Sequence, residues 1–212
     1  MTGFYFCEIK GRIQVEHPLT EMRTHVDLVR EQIRLAAGEP LELTQDAVRL
    51  AGWAMSGRIR AEAAGKLPLL NGGTGKVQRL RPPGGPDTRL DTYLYDGCPM
   101  PVMYDSLMGK LTVWGPDRAS CLDRLQRALE ELFLSGPPTN LPLLRQILGQ
   151  PDFVAGRYNS ELVGQLSVEE AADDRRDLAV VAAALYACRN QMFHPSMPER
   201  LLSGWHRESH RP

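Results

Sequence analysis

The sequence places three polar residues of different chemistry, Arg12, Gln14 and Glu16, at alternating positions after an apolar run. On an extended backbone, side chains two residues apart lie on the same face, so all three would point into one site. Arginine offers a forked cation to a carboxylate or phosphate group, glutamine offers neutral hydrogen bonds, and glutamate can act as a general base. The pattern indicates a site that binds a small anion and moves a proton. The same residues also allow a solvated charge pair on an edge strand.

The elements that must position these residues follow from hydrophobic periodicity and from residues that begin or end helices. Residues 3–9 alternate in the manner of a strand, and residues 25–37 have the spacing of a helix that Gly38 ends. Asp117 is typical of the residue that precedes a helix, and Gly136 would close that helix. Further extended segments are expected at 48–60, 75–80, 89–95 and 109–114, with a short helix at 141–149. Antiparallel sheet packed by helices is the expected arrangement.

A second region is expected to begin near Ser167, which forms a capping-box pattern with Glu170. The helix that follows carries Leu178, Val181 and Leu185 on one face. This amphipathic spacing predicts a separate C-terminal helix.

Composition and charge limit the class of protein. The 212 residues are 42% hydrophobic and 24% charged, and their formal net charge of -1 favours neither nucleic acid nor a membrane surface as a partner. No apolar run approaches the roughly 20 residues needed to cross a bilayer. The four cysteines are widely spaced and form no Cys-x-x-Cys pair. Reduced thiols in a cytoplasmic protein are therefore expected.

A longer run of residues around Arg12 and Glu16 resembles the active-site strand and loop of biotin carboxylases, ATP-grasp enzymes that carboxylate biotin with bicarbonate and ATP. The segments that carry the resemblance are 3–21, 27–34, 36–41, 57–62, 75–77, 82–86, 104–111, 127–129 and 139–140. The implied fold is α+β: the C-terminal part of an ATP-grasp biotin carboxylase, largely antiparallel sheet with packed helices, plus a C-terminal helix.

The resemblance implies a role for each residue of the candidate site. Glu16 is similar to the base that deprotonates bicarbonate, and Arg12 to the arginine that binds bicarbonate and later stabilises the biotin enolate. Gln14 and the backbone of Val15 would complete the bicarbonate pocket. Arg58 is similar to the arginine that faces biotin and the phosphate product.

The resemblance also implies a metal site and a dimer surface. Glu8 is similar to a ligand of the Mg²⁺ or Mn²⁺ ions that bridge the phosphates of ATP. Where the family has an asparagine ligand, this chain has Lys10, whose ammonium cannot ligate a cation and repels it. The metal site is therefore expected to be weakened or lost. Arg89 and Asp105 are similar to positions at or near a homodimer surface.

Members of the family that this chain resembles are more than twice as long as it is. This difference in length sets the expected domains. Residues 1–163 are expected to be a biotin carboxylase C-terminal domain without the N-terminal domain, the ATP-grasp lid and the first hairpin strand. Residues 164–212 are expected to be a helical linker and tail leading towards a following carboxylase domain. Residues 203–206 resemble the entry to that domain in the α subunits of acyl-CoA carboxylases of the acetyl-, propionyl- and methylcrotonyl-CoA type.

The resemblance leaves three functional interpretations. In the first, the chain is part of an ATP-dependent biotin carboxylase, inactive alone, whose missing half comes from a partner or from a longer chain. Its ligands would be ATP, Mg²⁺ or Mn²⁺, and biotin carried on a partner domain or chain. Its partners would be a biotin carrier domain, a carboxyltransferase component and, in a homodimer, a second copy. In the other two, the chain is a non-catalytic scaffold of a carboxylase complex, or a remnant or excised fragment.

Overall fold

The chain divides into two compact units, Met1–Val168 and Glu169–Pro212. The computed structural model describes residues 3, 5–62, 75–101, 105–166 and 173–193. The first unit contains antiparallel sheets and helices, which confirms the predicted α+β class. No helix in the described ranges is long and apolar enough to cross a membrane.

The first unit opens with two helices and continues as a mixture of strands and helices. In chain order the elements are α1 (His17–Thr24), α2 (Leu28–Ala36), β1 (Trp53–Arg60), β2 (Arg79–Arg81), β3 (Thr88–Thr92), β4 (Leu107–Gly115), α3 (Arg118–Glu131), β5 (Phe133–Ser135), α4 (Leu141–Leu148) and α5 (Pro151–Val154). Single 3₁₀ turns lie at Gln45–Ala47 and Val163–Gln165. In the second unit, α6 spans Asp173–Phe193.

The main sheet has three strands in the order β1-β4-β3, and both pairings are antiparallel. The register places Arg58 of β1 opposite Lys110 of β4, and Lys110 opposite Asp91 of β3. Residues directly opposite one another project from the same face of a sheet, so these three charged side chains form one row across it. Strands β2 and β5 form a separate two-stranded sheet.

The core lies where helix α3 packs on β4 and β1. Along β4, Leu111 and Val113 project into the core from one face and are fully buried. Thr112 on the other face is fully buried as well, and Lys110 on that face is half-buried. The helix begins as predicted, because the Asp117 carboxylate accepts a hydrogen bond from the Ser120 N–H at 2.8 Å. Its buried residues are Cys121, Leu122, Leu125, Ala128 and Leu129.

Several predicted boundaries are wrong. Residues 3 and 5–9 form no strand, since alternation of side chains is not enough without a neighbouring strand to bind the backbone. Gly136 does not end α3, because the helix stops at Glu131 and Phe133–Ser135 pairs with β2 first. Instead Gly136 has a φ of 124°, and a Cβ there would lie 2.3 Å from the Lys76 carbonyl oxygen. The turn at this position therefore requires glycine.

The remaining predicted elements are present, with ends that differ from the predicted ones. The helix expected over 25–37 is α2, which starts after Asp27, whose carboxylate accepts the Arg30 N–H at 2.9 Å. The extended segments expected at 48–60, 75–80, 89–95 and 109–114 correspond to β1, β2, β3 and β4, and the expected helix at 141–149 is α4. The capping residues predicted at Ser167 and Glu170 lie outside the described residues. In α6, Val181 and Leu185 are exposed.

Candidate active site

The segment at residues 15–21 includes the first five residues of helix α1 and lies on the main sheet. Helix α1 contacts β1 and β4, and its Pro18 is buried. Each of the three strands supplies one cation to the segment. The contacts are Arg58 of β1 with Glu16, Lys110 of β4 with the Val15 carbonyl, and Arg89 of β3 with Glu21. Arg58, Lys110 and Arg89 are called the cation row, which differs from the row across the sheet described above by having Arg89 in place of Asp91. The cation row fixes the segment to the sheet.

The Glu16 carboxylate is held by Arg58. Its Oε1 accepts a hydrogen bond from Arg58 Nε at 2.7 Å and a second one from Arg58 Nη2. Both side chains are 41% exposed, so the pair is open to solvent on one side. Arg58 points to this face because its neighbour on β1, Ile59, is buried on the other. The pair is therefore both fixed in position and accessible to a ligand.

The environment of Glu16 favours its ionised form. Partial burial raises the pKa, but the hydrogen bond from Arg58, a backbone hydrogen bond and the charges of Arg58 and Lys110 outweigh it and hold the pKa below the usual 4.5. Glu16 is thus a carboxylate at neutral pH, ready to accept a proton. A lowered pKa also makes it a weaker base while Arg58 remains bound to it.

Arg12, Gln14 and Glu16 line one cleft of about 730 Å³, together with Lys10. The extended strand predicted to bring these residues together is wrong, because residues 11–15 form no strand and Glu16 precedes α1. The Gln14 carbonyl instead accepts the His17 N–H at 3.2 Å as the chain turns into the helix. Arg12 is exposed and donates to the neighbouring Ile13 carbonyl at 3.0 Å. Its guanidinium can therefore reach a ligand without leaving a buried partner.

The residues expected to hold a metal do not fit one. Lys10 Nζ lies 3.1 Å from Glu8 Oε1, so the ammonium forms an ion pair with the carboxylate that would bind the metal ion. The Glu8 side chain is 62% exposed. In the described part of the chain, no group of three or more His, Cys, Asp or Glu side chains is placed to hold a metal ion. This arrangement offers one neutralised oxygen ligand where a divalent cation needs several.

The two residues expected at a dimer surface lie apart from the Glu16 pair. Arg89 is 43% exposed and binds Asp91 Oδ1 at 2.8 Å and Glu21 Oε2 at 3.1 Å. The hydrogen bond that Arg89 donates to Asp91, set against partial burial, raises the pKa of Arg89 above its usual value. Asp105 is exposed and accepts a hydrogen bond from Ser106 at 3.4 Å.

Sequence reasoning missed Lys110, Asp91 and Glu21. Lys110 had a signal, because it is a lysine inside an otherwise apolar strand whose other residues are mostly buried. A charged residue in such a strand requires a partner. Its partners lie on other elements and are distant in sequence, so the signal does not identify them.

Comparison with known families assigns the chain. Residues 56–165, more than half of the chain, match the biotin carboxylase C-terminal domain. Residues 1–44 match a family described as the carbamoyl-phosphate synthase L chain, ATP binding domain. The chain belongs to the biotin carboxylase family, as its sequence motifs predicted.

Individual relatives agree with this assignment. A biotin carboxylase of Nostoc sp. is 46% identical over 164 residues, which cover 77% of this chain and 36% of that protein. The propionyl-CoA carboxylase alpha chain of Ruegeria pomeroyi is 36% identical over 212 aligned residues, covering 87% of this chain and 30% of that protein. The chain therefore spans about a third of the length of these relatives.

Solved structures agree as well. The biotin carboxylase domain dimer of Hydrogenobacter thermophilus 2-oxoglutarate carboxylase, in complex with MgADP and bicarbonate, is 40% identical with a TM-score of 0.72. That match covers 76% of this chain and 35% of the other. The multifunctional pyruvate carboxylase of Rhizobium etli is 31% identical with a TM-score of 0.74, covering 81% of this chain and 17% of that one.

Proposed function

We propose that this chain is the C-terminal part of the biotin carboxylase component of a biotin-dependent acyl-CoA carboxylase. The observation that carries the proposal is the Glu16 carboxylate, held by Arg58 at the edge of a cleft that Arg12 and Gln14 also line. The similarity to the Nostoc biotin carboxylase and to the Ruegeria propionyl-CoA carboxylase alpha chain supports this proposal. The similarity to the Hydrogenobacter structure, which contains MgADP and bicarbonate, supports bicarbonate and a magnesium nucleotide as ligands.

The proposed reaction begins with bicarbonate in this cleft. Arg12 and Gln14 bind the anion and Glu16 accepts its proton. The carbonate oxygen attacks the γ-phosphorus of ATP, the bond to ADP breaks, and carboxyphosphate forms. Carboxyphosphate decomposes to carbon dioxide and phosphate, and phosphate takes the N1 proton of biotin. The biotin anion, stabilised by Arg12, then attacks carbon dioxide.

The pairing of Glu16 with Arg58 suggests how the base is switched on. While Arg58 donates to the carboxylate, the pKa of Glu16 is lowered and its basicity is reduced. An anion that draws the Arg58 guanidinium towards itself would remove this hydrogen bond and raise the pKa. Bicarbonate is bound before Glu16 acts, so it is the anion proposed to draw Arg58 away and release the base. By resemblance, Arg58 faces biotin and the phosphate product in the later steps.

The proposed cofactors and partners belong to the whole assembly. They are ATP, Mg²⁺ or Mn²⁺, biotin carried on a partner domain, a carboxyltransferase component, and the N-terminal ATP-grasp half. Because Glu8 is paired with Lys10, the acidic ligands for a metal are proposed to come mainly from that half. A homodimer through the surface of Arg89 and Asp105 is part of the proposal, as are the cytoplasmic location and the division at residues 163 and 164.

A second candidate function is a non-catalytic scaffold of a carboxylase complex. The observation that favours it is the ion pair between Lys10 and Glu8, which fills the position of a metal ligand. The two candidates differ in whether Glu16 performs chemistry, and that difference can be measured directly.

The test supplies the rest of the enzyme as a separate polypeptide. The part of the Nostoc biotin carboxylase that precedes the matched region is co-expressed with this chain, and bicarbonate-dependent ATP hydrolysis is measured with free biotin. We expect activity with both polypeptides and none with either alone. Glu16→Gln should lower the rate by about 10²–10⁴-fold, the range for loss of a general base. Glu130→Gln on the exposed side of α3 is the matched control.

Two results would reject the enzymatic proposal. One is a complex of the two polypeptides that binds nucleotide yet never hydrolyses ATP in response to bicarbonate. The other is activity that is the same with Glu16→Gln as with the wild-type chain. Either result, with a stable complex, favours the scaffold.

A further inference from the structure

Lys110 is the least exposed member of the cation row. Its side chain is 14% exposed, against 41% for Arg58 and 43% for Arg89. Its Nζ donates a hydrogen bond to the Val15 carbonyl at 3.1 Å, across 95 residues of sequence. An ammonium group removed from water costs free energy unless specific partners satisfy it, so this contact is a defined interaction.

Asp91 holds Lys110 in place. The two residues are opposite in the β3–β4 register, and Lys110 Nζ lies 3.4 Å from Asp91 Oδ2. That oxygen is buried and accepts no hydrogen bond from the described residues. The other oxygen accepts from Arg89 Nε at 2.8 Å. The carboxylate is thus fixed by Arg89 and keeps one oxygen facing the ammonium, which directs Lys110 across the sheet to Val15.

The Val15 carbonyl sets the orientation of the peptide plane that leads into Glu16. The carbonyl belongs to the planar peptide unit that joins Val15 to Glu16, so holding its oxygen fixes the plane from which Glu16 continues. Glu16 is the residue that precedes α1, and its side chain makes no capping hydrogen bond to that helix. Its carboxylate is therefore free to be aimed by this peptide plane at one end and by Arg58 at the other.

We propose that Lys110 is a positioning residue, which holds the Val15 carbonyl so that Glu16 presents its carboxylate to the cleft, and that Asp91 orients Lys110. The proposal rests on the proposed function for the role of Glu16 as a base, whereas the contact itself does not. Lys110 acts through Glu16 and touches none of the reacting atoms.

The charged groups around Glu16 come from four elements. They are Arg58 on β1, Lys110 on β4 with Asp91 behind it on β3, and His17 next to Glu16 on α1. His17 is turned away, because its Nδ1 lies 2.9 Å from the Gln14 carbonyl oxygen and its Nε2 faces Glu21 at 3.9 Å. Removal of Lys110 should therefore change the pKa of Glu16, as removal of Arg58 should.

The test measures Glu16 directly by titrating the ¹³C-labelled glutamate carboxyl groups of the 212-residue chain, with Glu16→Gln identifying the signal. In Lys110→Met, the pKa of Glu16 should rise by roughly half a pH unit, as expected for the loss of one solvent-screened charge a few ångströms away. Lys110→Arg keeps a cationic donor and should restore the wild-type value. Lys76→Met, the same change at an exposed lysine, is the matched control.

Activity gives the second readout. In the two-polypeptide assay, Lys110→Met should lower kcat/KM for bicarbonate by about tenfold through misplacement of the base, and Lys110→Arg should recover most of it. An unchanged pKa of Glu16 in a folded Lys110→Met chain would overturn the proposal. Should Lys110→Met fail to fold, Lys110→Gln keeps a hydrogen-bond donor without the charge, and an unchanged pKa there has the same meaning. A raised pKa together with full activity of Glu16→Gln would support the positioning contact and reject the proposed function.

Discussion

Two neighbouring stretches of the chain, residues 5–10 and residues 15–21, differ in how they contact the rest of the fold. The first is exposed throughout, with Tyr5 at 91%, Phe6 at 81% and Ile9 at 83%, and within the described residues it pairs with no strand. The second is tied to all three strands of the main sheet by the cation row. Both stretches carry residues expected to act in one site.

The difference divides the candidate site into two halves. The half proposed to bind bicarbonate, around Glu16, is positioned by the chain's own sheet. The half expected to handle the metal, at Glu8 and Lys10, is positioned by a single exposed ion pair. Exposed ion pairs contribute little to stability, so this pair by itself does not fix the geometry of the second half. The three changes below test this division.

The largest effect is expected at Arg12, which lies between the two stretches. Arg12→Ala should lower kcat/KM for bicarbonate by about 10²–10³-fold, because it removes one electrostatic donor to the reacting anion. The melting temperature should hardly move, since the hydrogen bond of Arg12 to Ile13 is local and exposed. The measurement is the two-polypeptide ATPase assay beside thermal melting of this chain. Arg79→Ala, at an exposed arginine of β2, is the control.

A different pattern at Arg12 would break the comparison. If Arg12→Ala unfolds the chain, Arg12 is a structural residue and the ligand-binding half extends further towards the N-terminus than the sheet contacts indicate. Wild-type turnover with bicarbonate would remove Arg12 from the site.

An intermediate effect is expected at Lys10. Lys10→Asn removes the charge that neutralises Glu8 and adds an oxygen ligand. The Mg²⁺ concentration for half-maximal ATPase activity should fall by roughly tenfold, the scale typical for a group beside a metal site. Mn²⁺ binding to the two-polypeptide complex, followed by paramagnetic broadening, gives a readout independent of turnover. Loss of activity in Lys10→Asn would mean that the ammonium has itself become a working part of the site.

The smallest effect concerns the pH dependence of stability. The folded-state pKa of Glu16 is lowered, so its pairing with Arg58 stabilises the fold above the unfolded value near 4.5 and is lost as pH falls through the folded value. Because the pair is 41% exposed, its contribution should be about 0.2–1 kcal/mol. The difference in melting temperature between wild type and Glu16→Gln should therefore be present at pH 7 and vanish in acid. A difference that grows in acid would contradict the assigned sign.

Local sequence signals were sufficient for much of the fold. Asp117 predicted the start of α3 because the cap and the helix it caps are adjacent in sequence. The strand at β4 and the helix at α4 were likewise predicted, since each depends on the residues of one element. The family was predictable because its motifs keep their order along the chain. Arg12, Gln14 and Glu16 line one cleft, and their role there stays a prediction.

Tertiary structure alone decided how that set is held. Alternation predicted a strand at residues 3–9 and an extended path to Glu16, but a strand needs a partner and none lies beside those residues in the described structure. The Glu16–Arg58 contact joins residues 42 positions apart, and the Val15–Lys110 contact joins residues 95 apart. No periodicity spans such distances. The register of β1, β4 and β3 places the cation row on one face of the sheet, because antiparallel pairing sets side chains from distant segments directly opposite one another.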